Sequence, residues 1–421
     1  MASELRTIDD MDVEGRRVLL RADLNVPLTP GSAGPPLAVA NDARIRAALP
    51  TIDELRRRGA RLVVVSHLGR PQGPDPAWSM QPVANRLGRL TGTPVRLAPA
   101  VVGAEVRERT HSLAPGQMLM LENVRFEAGE TRDDPTLASA LADLADLYVD
   151  DAFASAYERD ASTTGVARLL PSAAGRLMER EVNALSAVVD QPSRPLVAVL
   201  GGATLRHKIG LVTRFLELAD VVCIGGGMCF PFLAALGHSV GHSLCPHDDV
   251  RRARTALVAA DGRARLLLPE DLQLAQWGGD EGGMAESSDR VDVPDGWMGL
   301  DIGGRTAARF AEAVSAAATV FWNGPMGRFE LPQFAAGTRA VAEAVASTSA
   351  TAVVGGGETA EAVHQLRLEG SVSHLSTGGR AMRELLEGHE LPGVEVLRCE
   401  VPAAGAPRPG RSLTLGPSGR R

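Results

Sequence analysis

The chain has 421 residues, enough for two or three domains with substantial cores. It is 44% hydrophobic and 23% charged, the make-up of an ordinary globular protein, and 44 Lys plus Arg against 51 Asp plus Glu leave a net charge of −7. That balance argues against a general nucleic-acid binder but leaves room for a local basic patch. No apolar run reaches the roughly 20 residues that span a bilayer, and MASELRTIDDMD lacks the basic-then-apolar pattern of a secretory signal.

In chain order, apolar strand-like runs alternate with amphipathic helical stretches. RVLLRADL (17–24) is followed by the helical pattern NDARIRAALPTIDELRRRG, then by RLVVVSH (61–67), MLMLEN (118–123) and a run over 147–153. SAAGRLMEREVNALSAVVDQPSRP then reads as a helix closed by a proline-containing turn, and the chain divides there, near 170–195. Beyond it come LVAVLGG (196–202), DVVCIGGG (220–227), ARLLLPED (264–271), TVFWNG (319–324) and TAVVGGG (351–357), with the helical pattern RTAARFAEAVSAAA ahead of TVFWNG. Continuous apolar strands with helices between them predict parallel α/β sheets in two halves of similar length. The segment from 401, rich in Pro, Gly and Arg, reads as a disordered tail. Cys223, Cys229, Cys245 and Cys399 are irregularly spaced, which predicts reduced thiols in a cytoplasmic protein rather than a disulfide framework or a metal site.

Polar and glycine-rich residues gather just after the strands, where open α/β sheets bind ligands. In the first half, Arg21, Arg44, His67, Arg70 and Arg125 come from separate segments. Converging arginines make a bidentate site for phosphate or carboxylate. In the second half, GGATLRHKIG (201–210) carries Lys208, the single lysine of the chain. It follows LVAVL and opens a helix, so its backbone N–H groups suit a phosphate. WNGPMGRFE and GGGETAEAV also follow strands, and no GxxxxGK[ST] motif is present, so a P-loop is not indicated.

RADLNVP, SHLGRP, LENVRFE, GWMGLDIG, WNGPMGRFE, VGGGETAEAV and SHLSTGGRA resemble, in order and spacing, the motif series of the phosphoglycerate kinase family, from residue 17 to about residue 395. The resemblance implies two Rossmann-like three-layer α/β/α domains with mainly parallel sheets, joined by a hinge helix. Residues 1–175 would bind 3-phosphoglycerate, 176–192 would form the hinge and 193–400 would bind nucleotide. It further implies reversible phosphoryl transfer between ATP and the carboxylate of 3-phosphoglycerate, with Mg2+, by a cytoplasmic monomer that has no nucleic-acid or membrane partner.

By the same resemblance, Asp23 and Asn25 hold the glycerate end of the acceptor, and Arg44 stands near the transferring phosphoryl group. His67, Leu68, Gly69, Arg70 and Arg125 bind the distal phosphate. Lys208 contacts nucleotide phosphate, Glu330 the ribose, and Gly356, Gly357, Glu358 and Thr359 the phosphates and metal, with Glu358 as the metal ligand. Asn323 and Pro325 shape that cleft. Catalytic roles fall to Arg44 and Lys208, and to Arg380, which departs from the family pattern and would supply the positive charge missing at Thr204.

The pattern is broken at several of these sites. Thr204 stands where the family carries a lysine, and Glu158 where it carries an arginine. Tyr157 and Asp160 replace histidines, Glu358 replaces an aspartate and Arg380 a glycine. Two other readings therefore remain open at the level of sequence: an ATP-dependent carboxylate kinase with another acceptor, and a nucleotide-binding protein that transfers nothing.

Overall fold

The computed structural model describes residues 3–31, 34–260, 264–276, 278 and 285–400. The tail from 401 lies outside them.

Two six-stranded parallel sheets dominate. The first runs in the order Val95–Leu97, Met118–Met120, Arg61–Val65, Arg17–Arg21, Leu147–Asp150 and Ser172–Ala174. The second runs Arg265–Leu267, Val221–Ile224, Leu196–Leu200, Thr319–Asn323, Thr351–Gly355 and His374–Ser376. Helices cover both faces of each sheet, so central strands such as Leu196–Leu200 and Thr319–Asn323 are buried at every position. This is the two-domain α/β architecture that the continuous apolar runs predict.

Strand order fixes where ligands can enter. In the second sheet the chain starts at Leu196–Leu200, builds outward to Arg265–Leu267, then returns to the other side at Thr319–Asn323. The first sheet reverses in the same way between Arg17–Arg21 and Leu147–Asp150. Loops on either side of such a reversal diverge and leave a crevice at the carboxyl ends of the strands. Asp23, Asn25 and the 151–160 segment flank one crevice, and the Gly201–Lys208 and Asn323–Gly324 loops flank the other.

The helix Arg176–Val189 joins the halves. It buries Leu177, Met178, Val182, Leu185 and Val188, and the last four belong to a core that runs through both sheets. Glu181, fully buried, accepts hydrogen bonds from Thr377 N (2.7 Å) and Thr377 Oγ1 (2.9 Å) and pairs with His374 Nε2 at 2.9 Å. The helix is thus tied to the loop that leads to Arg380.

Three features were not read from the sequence. Leu272–Gln276, Glu286–Ser288 and Trp297–Ile302 form an antiparallel sheet beside the second domain, and Leu28–Gly31 pairs with Gly34–Val39. The end of the described chain also returns to the first half: Ser3–Leu5 pairs antiparallel with Arg398–Glu400, and Gly393 N donates to Ala156 O at 2.9 Å. Residues 393–400 therefore pack apart from the sheet of the second half that precedes them. Local periodicity carries no information about such long-range closure. No helix among the described residues is long and apolar enough to cross a membrane.

Candidate active site

Asp23 and Asn25 follow the first strand of the first sheet. Asp23 is buried and ion-pairs with the Arg44 guanidinium, which comes from the first turn of the helix Ala43–Arg57. Asp23 Oδ1 accepts from Asn25 N (3.2 Å), and Asn25 Oδ1 accepts from Gly69 N (2.9 Å). Asn123 holds the same loop from its other side, accepting from Leu68 N (3.2 Å) and Arg125 N (3.1 Å) and donating to Leu68 O (2.8 Å). At Gly69, φ is +61°, and a Cβ would lie 2.1 Å from the Trp78 ring, so only glycine lets the loop pass. Leu68 sits in the apolar core, and its side chain does not line the cleft.

Arg21 plays a different part from the other arginines. It is fully buried; its Nε donates to Ser162 Oγ (2.9 Å), its Nη1 to Ala22 O (2.7 Å) and its Nη2 to His67 Nδ1 (3.1 Å). A guanidinium can only donate, so Nδ1 of His67 accepts and Nε2 carries the ring proton. Burial, reinforced by Arg21, Arg125, Arg44 and Arg70, holds the imidazole well below its ordinary pKa. His67 is thus a neutral donor, oriented by a buried arginine.

Arg70, Arg125, Glu158, Arg159 and Asp160 line a cleft of about 590 Å3. Arg125 Nη1 donates to Gly69 O (2.8 Å), while its Nη2 lies 3.4 Å from Glu158 Oε2. Glu158 therefore points into the basic cleft and already occupies one of its arginines. Burial, with Glu130 and Glu158 adding to it, pushes the Asp160 carboxyl up to about 7. Arg159, a neighbour of Glu158 in sequence, opens onto the same cleft.

In the second half, Lys208 lies at the strand reversal. Its Nζ donates to Gly201 O (2.8 Å) and Asn323 O (3.1 Å), the last carbonyls on either side of the crevice. Burial lowers the ammonium to about 8; Glu358 opposes the shift and Arg383 adds to it. Gly324 has φ +104°, and a Cβ there would meet Gly201 O at 2.3 Å and Lys208 Nζ at 2.5 Å. Asn323 Nδ2 donates to Gly355 O (2.7 Å), and Thr359 Oγ1 accepts from Gly324 N (2.7 Å), so both side chains knit the loops together.

Lys208, Asn323, Gly356, Gly357, Glu358, Thr359 and Arg380 surround a cavity of about 210 Å3. Beside it, a 500 Å3 pocket is lined by Gly202, Gly227, Phe230, Met298, Pro325 and Glu330, with Glu358 shared between the two. A small cavity lined by Lys208, Glu358, Thr359 and Arg380, which shares Glu358 with a larger, apolar-walled pocket, suits a phosphate chain attached to a flat base. Thr204 hydrogen-bonds His207 Nδ1 (3.4 Å), and Arg383 Nη1 donates to His207 O (3.0 Å).

A cleft of about 910 Å3, bounded by Arg46, Arg86 and Arg89 on one side and Glu361, His364 and Glu369 on the other, separates the halves. The halves meet again at Arg380, whose guanidinium carbon lies 4.6 Å from the centre of the Tyr157 ring. That contact was not read from the sequence, because nothing local links the two positions.

An α/β protein with an arginine-lined crevice at one sheet reversal and a lysine-bearing, glycine-walled crevice at the other has the layout of a two-substrate transferase for phosphorylated ligands. The family model for phosphoglycerate kinase matches residues 8–389, and the chain belongs to that family. It is 48% identical over 393 residues to the phosphoglycerate kinase of Rubrobacter xylanophilus, covering 93% of this chain and 98% of that protein. With the Frankia casuarinae phosphoglycerate kinase it shares 47% identity over 404 residues, covering 93% of this chain and 100% of the other. The solved phosphoglycerate kinase of Coxiella burnetii superposes with a TM-score of 0.84 at 37% identity, over 94% of this chain and 98% of that one.

Proposed function

We propose that this protein is a phosphoglycerate kinase in activity, moving the γ-phosphoryl group of ATP reversibly to the carboxylate of 3-phosphoglycerate. The bond from the γ-phosphorus to the β,γ-bridging oxygen breaks, and a bond to a carboxylate oxygen forms. ADP leaves with the electron pair, and no covalent enzyme intermediate is needed. The single observation that carries this reading is the pair of opposed crevices, basic in one half and glycine-walled around Lys208 in the other, in a chain of this family.

Residues 1–175 take the acceptor, 193–400 the nucleotide, and 176–192 act as the hinge, with 393–400 returning to the first half. Asp23, Asn25 and Arg44 hold the glycerate end, and His67 and Arg70, on the loop that Gly69 allows, receive its phosphate together with Arg125. Lys208, Gly356, Gly357 and Thr359 bind the nucleotide phosphates, Glu330 the ribose, and Arg380 the group in transit. Glu358 suits Mg2+: its carboxylate opens onto both cavities and has no hydrogen-bond partner among the described residues, and Mg2+ is commonly bound through one or two carboxylates plus substrate phosphates. When bound, it would offset charge on the phosphoryl oxygens. Closure of the open cleft brings donor and acceptor in line and excludes water. The partners are small molecules and the active form is a cytoplasmic monomer.

A coupled assay with ATP and 3-phosphoglycerate tests the assignment. Turnover with 3-phosphoglycerate above that with glycerate supports it. ADP binding by calorimetry with no transfer to 3-phosphoglycerate overturns it.

A further inference from the structure

Two of the exchanged positions touch. Tyr157 belongs to the segment after Leu147–Asp150 in the first half, and Arg380 begins the helix Arg380–Leu386 in the second. We propose that Tyr157 is a positioning residue, whose ring holds the Arg380 guanidinium at the mouth of the phosphate cavity, so that one half supports a cation used by the other. The inference rests on the phosphoryl-transfer reading above.

The geometry separates the parts of the arginine. Nε donates to Glu384 Oε1 at 3.1 Å, one turn along its own helix, which fixes the root of the guanidinium. The Tyr157 ring supports its face at 4.6 Å. Nη1 and Nη2 have no acceptor among the described residues, and the side chain is 58% exposed on the wall that also holds Lys208 and Thr359. A planar fork with its root and face held and its outer donors free is set up for two phosphate oxygens.

The ring is itself anchored. Tyr157 packs against the core that runs through both sheets, and burial, with the neighbouring Glu158 adding to it, raises its phenol. Arg380 thus leans on the segment that also supplies Glu158 to the acceptor cleft. Without the ring, the guanidinium keeps its charge and its Glu384 partner but loses its lateral support, and other rotamers compete.

The experiment compares Arg380→Ala, Tyr157→Ala, Tyr157→Phe and the double alanine variant, with thermal midpoints measured alongside. Arg380→Ala is expected to lower kcat by about 10²–10³, the range for loss of one transition-state donor. Tyr157→Ala should lower kcat by about 2- to 5-fold, the worth of an exposed cation–π contact, with KM for 3-phosphoglycerate unchanged. Tyr157→Phe keeps the ring and should match wild type. The double variant should equal Arg380→Ala alone, because the ring has nothing left to hold.

Additive losses, or a Tyr157→Phe loss as large as that of Tyr157→Ala, would overturn the proposal. Calorimetry with ATP and with ADP provides an arm independent of turnover. Arg380→Ala and Tyr157→Ala should both weaken ATP relative to ADP, while Tyr157→Phe should not. If wild type transferred nothing to 3-phosphoglycerate, the assigned activity would fail and this arm would still decide the role of Tyr157; an ATP-to-ADP ratio unchanged in Tyr157→Ala overturns that role.

Discussion

At Glu158 a carboxylate lies 3.4 Å from Arg125 in the cleft that also holds Arg70 and Arg159, so an arriving phosphate meets a resident charge. Replacing it by Glu158→Gln keeps the shape and removes the competitor. KM for 3-phosphoglycerate should fall about fivefold, the equivalent of ~1 kcal/mol for a part-exposed charge pair, with KM for ATP unchanged in the same steady-state assay. An unchanged acceptor KM would mean that the phosphate does not enter past Arg125. Lys208 makes a prediction about pH. Burial brings its ammonium down to about 8, so it is cationic below that pH and neutral above it. In the free enzyme, kcat/KM for ATP should decline above pH about 8. Lys208→Arg should flatten that limb whatever its absolute rate, because a guanidinium stays charged.

At the scale of elements, the start of the connecting helix is held from the first domain. Asp151 Oδ1 accepts from Leu177 N (2.8 Å) and Met178 N (3.2 Å), and a Cβ on the preceding Gly175 would lie 2.3 Å from that oxygen. Asp151→Ala leaves two buried donors unmet and should cost about 1–3 kcal/mol in urea unfolding. Burial raises the Asp151 carboxyl to about 7, above an unfolded value of about 4. The folded state therefore keeps a proton that the unfolded state gives up, and this group's contribution declines as pH rises from about 4 to about 7. Over that window Asp151→Asn should gain stability relative to wild type. The strands around this anchor were legible because both of their faces are buried and their apolar runs are unbroken. Leu272–Gln276 and Glu286–Ser288 were not, since their burial alternates or is absent and polar residues interrupt them. Val95–Leu97 is only partly buried and is interrupted by Arg96, and Ser172–Ala174, read as the start of the following helix, is a buried strand whose small residues give no apolar signal.

For the whole molecule, the motif series led to the family and to the loops that carry the site, because phosphate-suited residues follow strands whose order can be anticipated. What those loops do to one another was not legible. The sequence displays Tyr157, Glu158 and Arg380 as separate departures, and folding brings Tyr157 against Arg380 and turns Glu158 toward Arg125. Arg21 reads as one more cation for an anion site, yet it is spent on orienting His67 and anchoring Ser162. The pairing of Ser3–Leu5 with Arg398–Glu400 has a consequence on another timescale. A ribosome delivers Leu5 well before Arg398, so the strand Ser3–Leu5 waits for its partner until the second half has been made. The first domain can collapse around its six-stranded sheet as it emerges, but the separate two-stranded sheet beside it forms only when residues 398–400 have been made. Completion of the first half is thereby tied to the arrival of the second.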